Sequence, residues 1–305
     1  MLSQILVPID TSAIAEQALP IAGAIARRSG AALTLVLVHQ PTSAGGYQDA
    51  PWNAGRRAIE RAYLDAQANE LEARFKVRVT TAHPGGSAAA VLAKCIEDRH
   101  ADLVVMTTHG RTGLSRAWIG SVADALMRSV NVPILMLRPN GKRAVTEPGV
   151  FHKVMLPLDG SANAERIIDP ALALAGTAAA YFVTEVVEPV PLIVPTSDPY
   201  TMVPTIPDEE ATAGVVAEAT QYVRGVAARL VAQKVGGIEH TVNVAQHIAA
   251  RILELATLHH VDLIALATRG RGASRLVIGS VADKVLRGST IPLLVLNAAT
   301  PPASR

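Results

Sequence analysis

The sequence predicts an α/β fold written twice, each copy a five-stranded parallel sheet with helices on both faces. Three observations carry this. Short β-rich runs alternate with longer Ala-rich stretches, the pattern of βαβ units. Half of the 305 residues are apolar but only 3% are aromatic, so Ala, Val, Leu and Ile must fill the core, as suits a sheet buried on both sides. Blocks also recur in order: "ILVPIDTS" (5–12) matches "VMLPLDGS" (154–161), "LVLVHQP" (35–41) matches "VTEVVEP" (183–189), and "HADLVVMTTHGR" (100–111) matches "HVDLIALATRGR" (260–271). Finally "GSVADALMRSVNVPILML" (120–137) matches "GSVADKVLRGSTIPLLVL" (279–296), which completes a duplicated domain.

In the first copy the β-rich runs fall at 5–9, 33–38, 77–81, 103–107 and 133–137, and the helical stretches at 13–28, 57–74, 87–99 and 121–130. In the second the strands read 153–158, 180–187, 238–244, 262–267 and 291–296, with helices near 162–176, 210–234, 247–258 and 280–288. Right-handed crossovers then place helices on both faces. The polar stretch "RPNGKRAVTEPGVF" (138–151) lies outside both repeats and reads as a connector. The division is a first domain at 1–140, a linker at 141–151 and a second domain at 152–298. An insertion follows the second strand of each copy. "TSAGGYQDAPWNAG" (42–55) reads as a loose polar loop, and six prolines between Pro189 and Pro207 forbid a regular element there.

Composition excludes several classes. The formal charge is +2 with no long basic run, so no nucleic-acid footprint is indicated. No apolar run reaches the roughly 18 residues that span a bilayer. Cys95 is the single cysteine, which rules out an intrachain disulfide and suits a reducing compartment; its neighbours Val91, Leu92 and Ile96 mark it as a packed thiol. With no targeting segment in "MLSQILVPID", the expectation is a soluble cytoplasmic protein. No metal site is expected. His259 and His260 are adjacent and point about 100° apart on a helix, unlike zinc ligands at i and i+4. His100 and His260 occupy matching places before the fourth strand and suggest a role at a helix end.

Chemistry concentrates before the repeated "IGSVAD" (119–124 and 278–283). In open α/β sheets, ligands sit beyond the carboxyl ends of the strands, where the strand order reverses. Gly110, Gly113 and Gly120 allow a close backbone approach or positive φ there. The N–H groups opening the next helix favour a phosphate, Ser121 adds a hydroxyl and Arg111 a cation. A competing reading makes Ser121-x-x-Asp124 and Ser280-x-x-Asp283 capping boxes, with Ser bonding the backbone. Asp10 and Asp159 follow the first strands, either as ligand contacts or as acids that satisfy backbone donors at a helix start.

Taken together, "VPIDTS", "THGRTGLSRAWIGSVAD" and "VPILMLRP", with "LPLDGS", "TRGRGASRLVIGSVAD" and "IPLLVL", resemble the universal stress protein family in a tandem two-domain version. The resemblance covers essentially the whole chain outside the linker and insertions. It implies two flavodoxin-like or Rossmann-like domains, ATP as ligand with any Mg²⁺ arriving on its phosphates, and a regulatory role in stress response. It also implies that the final strands pair the two domains within the chain, and that the chain forms a homodimer. Asp10 would sit by the adenine or ribose, Val38 would offer backbone to the adenine edge, and Gly110 would approach ribose and phosphates. Gly120 and Ser121 would cradle the phosphates, with Arg111, Gly113 and Val122 completing the first site. The second site would comprise Asp159, Val186, Gly270, Arg271, Gly279, Ser280 and Val281.

Nucleotide-binding members of the family show Gly, two residues, Gly, nine residues, Gly, then Ser or Thr. Here the first of these glycines falls on Thr107 in one copy and Ala267 in the other, and the second copy's spacer has eight residues. A ligand-free scaffold of the same fold is therefore the alternative. Enzymatic activity is bounded at slow ATP hydrolysis, because no neighbouring carboxylate or His makes either Asp an evident base. An ATP pyrophosphatase is disfavoured because "VPIDTSAIAE" and "LPLDGSANAE" supply no Gly-rich phosphate loop.

Overall fold

Ten of the apolar runs become strands of one sheet, described by a computed structural model. It describes residues 2–41, 43–44, 47–48, 50–108, 119–138, 151–192, 206–269 and 278–297. The first half runs β1 (Gln4–Ile9), α1 (Ala13–Glu16), α2 (Ala18–Ser29), β2 (Ala32–Leu37), β3 (Ser43–Ala44), β4 (Tyr47–Gln48), α3 (Ala50–Phe75), β5 (Val79–Ala82), α4 (Ala88–Asp98), β6 (Leu103–Thr107), α5 (Ser121–Ser129) and β7 (Ile134–Leu137). The second runs β8 (Lys153–Leu158), α6 (Ala162–Glu165), α7 (Ile168–Ala175), β9 (Ala180–Val187), α8 (Glu209–Ala232), β10 (Gly237–Val244), α9 (Ile248–Leu258), β11 (Leu263–Ala267), α10 (Ser280–Gly288) and β12 (Leu293–Leu296).

The sheet order is β10-β9-β8-β11-β12-β7-β6-β1-β2-β5. Each half is thus a parallel sheet in the order third, second, first, fourth, fifth strand, and the order reverses between β1 and β6 and between β8 and β11. The halves join where β12 runs antiparallel to β7, with Leu293 opposite Met136, Leu294 opposite Leu135 and Val295 opposite Ile134. All six side chains are at most 2% exposed, so the seam is core. One apolar cluster, with α2, α3, α7 and α8, covers one face of the sheet. A second, with α4, α5, α9 and α10, covers the other. Arg28 on α2 also donates to the Leu174 carbonyl on α7, tying the halves on the first face.

Local rules explain two departures from the sequence expectations. The stretch expected as one helix at 13–28 breaks at Gln17, because Pro20 lies three residues on and has no N–H for the Glu16 carbonyl. Pro170 accompanies the same break between α6 and α7. The last six residues of the supposed loose loop at 42–55 are helical, since α3 starts at Ala50, and Pro51 is tolerated in a first turn. Of the expected linker at 141–151 only Phe151 is described, and it is buried in the core of the first face; the rest of the linker and residues 193–205 of the Pro-rich insertion lie outside the described residues. His100 and His260 do serve helix ends. Their φ angles are +49° and +55°, and Ala101 N–H and Val261 N–H reach back to the Ile96 and Ala256 carbonyls, closing α4 and α9 by left-handed residues.

Candidate functional site

The carboxyl ends of β1, β2 and β6 open into a cleft at the first reversal of strand order, as this topology favours. Its volume is about 290 Å³, and Asp10, Val38, Arg56, Thr107, Gly120, Ser121 and Val122 are among its lining residues. The corresponding cleft of the second half, about 410 Å³, is lined by Asp159, Val186, Ala267, Arg269, Gly279, Ser280 and Val281, among others. Every described member of the two expected sets therefore lies on its own cleft. Gly110, Arg111, Gly113, Gly270 and Arg271 lie outside the described residues.

The end of α5 in the cleft is the part best suited to a polyanion. Gly120, not Ser121, is the N-cap, and no side chain caps the helix. Asp124 N–H is the first to find a helical carbonyl, that of Gly120, at 2.9 Å. The amides of Ser121, Val122 and Ala123 precede it, and all three residues line the cleft. Ser121 is the first helical residue and is exposed, and its hydroxyl has no hydrogen-bond partner among the described residues. The capping-box alternative for Ser121 is thus not what forms. Asp124 instead pairs with Arg128 one turn on, at 3.0 Å, as Asp283 pairs with Arg287 at 2.9 Å.

Gly120 and Gly279 have φ of −57° and −60°, so positive φ is not why glycine stands there. At Gly279 a close approach favours it: a Cβ there would come 3.2 Å from the Thr268 carbonyl. Sequence reasoning missed the threonines that clip this loop. Thr108 N–H donates to the Leu137 carbonyl at 3.0 Å, and the Thr108 carbonyl accepts from Gly120 N–H at 2.8 Å. Thr268 repeats both bonds with Leu296 and Gly279 at 2.8 and 2.7 Å. The chain therefore leaves and rejoins the sheet edge at one buried threonine. The signal was present as the only threonine shared by "TTHG" and "ATRG".

Asp10 takes the helix-start role and also lines the cleft. Its Oδ1 accepts from Ser12 N–H and the Ser12 hydroxyl at 3.1 and 2.6 Å, and Ser12 Oγ then caps α1 by accepting from Ala15 N–H. Asp159, Ser161 and Ala164 repeat the arrangement. Each carboxylate holds the helix start while lining its cleft. Thr107 is 6% exposed at the end of β6; it forms part of the cleft wall without filling it.

The clefts differ in charge. Among the described lining residues, the first has one carboxylate, Asp10, and one guanidinium, Arg56. The second has three carboxylates, Asp159, Glu185 and Glu188, against Arg269. Burial and the nearby Glu165, Glu185 and Asp159 push the Tyr222 phenol well above its ordinary value, which reflects the same negative field.

Three polar residues that spacing rules do not connect also meet beside the first cleft. His39 Nδ1 lies 2.6 Å and His83 Nε2 3.0 Å from Glu60 Oε2, and Arg56 Nε donates to Glu60 Oε1 at 3.0 Å. The adjacent His259 and His260 form no comparable cluster. His259 stacks on Phe182 at 4.0 Å and contacts Glu239 at 3.1 Å. Burial raises the Cys95 thiol above its ordinary value, in keeping with an inert packed residue.

The model of the universal stress protein family matches residues 1–138 and 151–297. A curated universal stress protein of Methanocaldococcus jannaschii is 36% identical over 62 residues, a stretch that covers 20% of this chain and 36% of that protein. Among solved structures, a universal stress protein of Archaeoglobus fulgidus superposes with a TM-score of 0.71 at 17% identity, covering 97% of this chain and 98% of its own. A putative universal stress protein of Pseudomonas aeruginosa gives 0.62 at 16%, covering 97% and 93%. At those identities the likeness is one of fold.

Proposed function

Because the chain belongs to the universal stress protein family, matched once in each half, we propose that it is a regulatory protein of the stress response that holds ATP in the first cleft. The observation carrying this is the uncapped start of α5, where three successive amides and the Ser121 hydroxyl line a cleft that also contains Asp10. Helix starts of this kind favour phosphate through their N–H groups and dipole. The cleft's size is near the lower end of the roughly 300–1,000 Å³ of small-molecule sites, so it suits a nucleoside with its phosphates leading to the helix end. Any Mg²⁺ arrives on those phosphates. The second cleft is larger but repels a polyanion with three carboxylates, and in this reading it fills less readily.

Among the described residues lining the first cleft, no group is arranged as a base for attacking water; in this reading the protein signals occupancy, with slow hydrolysis as the upper bound. Ligand state would alter contacts with partners, including a second copy of the chain; β5 and β10 are the outer strands of the sheet among the described residues. A cytoplasmic location accords with the lone Cys95 and with the absence, among the described residues, of any helix long and apolar enough to cross a membrane.

The test is to denature freshly purified protein, assay the supernatant for adenine nucleotides, and titrate emptied protein with ATP and Mg²⁺ by calorimetry. A Gly120→Val variant adopts φ of −57° and ψ of 146° without backbone strain and should lose nucleotide through bulk at the phosphate approach; its melting temperature, read alongside, separates lost binding from a loosened Thr108 clip. A blank supernatant together with no heat leaves the ligand-free scaffold, the reading that Thr107 in the cleft wall favours.

A further inference from the structure

The His39, Glu60 and His83 cluster belongs to neither the helix start nor the Asp10 turn. We propose that these three side chains form a binding site for a divalent transition metal, with Zn²⁺ as the best fit, through His39 Nδ1, His83 Nε2 and Glu60 Oε2. This proposal is independent of nucleotide binding. The three ligand atoms lie within 4.8 Å of one another. Two imidazoles and a carboxylate are a donor set suited to Zn²⁺ and its neighbours, and three protein ligands leave one position for water.

The geometry needs little change to accept the ion. Tetrahedral ligands at about 2.05 Å from zinc stand about 3.3 Å apart, whereas both imidazole-to-carboxylate contacts are 2.6 and 3.0 Å. Each opens by less than about 1 Å as the proton between the pair gives way to the metal. The donors come from three regular elements. His39 follows β2, Glu60 sits inside α3 and His83 follows β5, and the first and last are locked by His39 N–H to the Pro84 carbonyl and Gly86 N–H to the His39 carbonyl, 2.8 and 3.1 Å. The side chains are 1%, 6% and 4% exposed. Arg56 holds the other carboxylate oxygen and leaves Oε2 facing the rings, the outer-shell support that orients metal ligands.

Folding alone does not require this cluster, because the second half builds the same place from apolar groups. His39 aligns with Val187 in the "LVLVHQP"/"VTEVVEP" match. Val36 faces Ala82 across β2–β5 and Thr184 faces Thr241 across β9–β10, so His83 corresponds to Val242. Superposing the buried Leu64, Ala68 and Leu71 of α3 on Val223, Ala227 and Leu230 of α8 puts Glu60 on Ala219. A valine, an alanine and a valine serve the fold where the first half carries two imidazoles and an acid. In their own half, His39 Nε2 and His83 Nδ1 are buried without hydrogen-bond partners among the described residues, a cost that packing does not explain.

The experiment uses the full chain without an affinity tag, stripped of metal by a chelator and free of nucleotide. Zn²⁺ is titrated against a chromophoric chelator, and Co²⁺ is followed by its visible absorption. The expected result is one tight equivalent per chain, together with a Co²⁺ spectrum of four- or five-coordinate N/O ligation. The variant His39→Val, Glu60→Ala, His83→Val copies the second half; it should keep its apo melting temperature within a few degrees or exceed it, and lose the tight equivalent. A single His83→Gln substitution serves if the triple variant does not fold, with binding weakened at least about 100-fold and the Co²⁺ band lost. Failure of the wild-type chain to bind, or undiminished binding by the variants, overturns the site. Because no nucleotide is present, neither outcome bears on the ATP reading.

Discussion

Ser121→Ala separates a helix cap from a ligand contact, and the two roles predict opposite patterns. Were Ser121 a cap, its loss would cost about 1 kcal/mol of stability and leave binding alone. The structure instead makes Gly120 the N-cap and Ser121 the first helical residue, exposed and without a hydrogen-bond partner among the described residues. Stability should therefore stay within about 0.5 kcal/mol of the parent, as for other exposed substitutions. Binding should suffer much more. A hydrogen bond to a charged phosphate oxygen contributes roughly 1.5–3 kcal/mol, and each 1.4 kcal/mol is tenfold, so affinity for ATP should fall about 10- to 150-fold. Urea denaturation gives the first quantity and calorimetry with ATP and Mg²⁺ the second. Destabilisation near 1 kcal/mol with unchanged affinity would refute the assignment of this hydroxyl to the ligand.

Other perturbations test the frame that presents the cleft. Asp102 Oδ2 accepts from Ser3 N–H, the Ser3 hydroxyl and Gln4 N–H at 2.8, 2.5 and 3.0 Å; Asp102→Ala should cost about 2–4 kcal/mol, and a loss below 0.5 kcal/mol in denaturation would count against it. Burial holds the Arg138 guanidinium down to about 10, and its Nε and Nη2 are buried without partners. Arg138→Met should accordingly be neutral or stabilising by about 1 kcal/mol; a clear drop in melting temperature would contradict this. Asn297 Nδ2 donates across the seam to the Arg128 carbonyl at 3.1 Å, so Asn297→Ala should cost about 1 kcal/mol in the same assay, and no change would show that this bond contributes nothing.

The inner strands were legible because each is an apolar run bounded by polar or Gly and Pro residues, and the duplication supplied their patterns twice; the edge strands β5 and β10 are more polar and half-exposed, so their limits were less sharp. Helix limits were less so. Pro20 and Pro170 sit within otherwise helical stretches, where periodicity continues but the hydrogen-bond ladder cannot. For the cleft, the strand ends and the repeated Gly-Ser step pointed to Asp10, Gly120 and Ser121, while Val38 came only from the family resemblance; all four line it. The His39, Glu60 and His83 cluster stayed hidden because its members are 21 and 23 residues apart on three elements, and only the pairing of β2 with β5 beneath α3 brings them together. Nor does sequence show charge in a cavity. Glu185 and Glu188 lie near each other in the chain, but their shared outlook with Asp159 depends on how β8 and β9 align.

The near-twofold plan is broken at one contact of the seam. Asn297, just past the last strand of the second half, grips the final turn of α5, the short rod whose opposite tip faces the first cleft. Arg138 stands at the matching place in the other half, and its Nε and Nη2 have no partner among the described residues. Two halves alike in plan are thus held at their shared boundary by unlike groups.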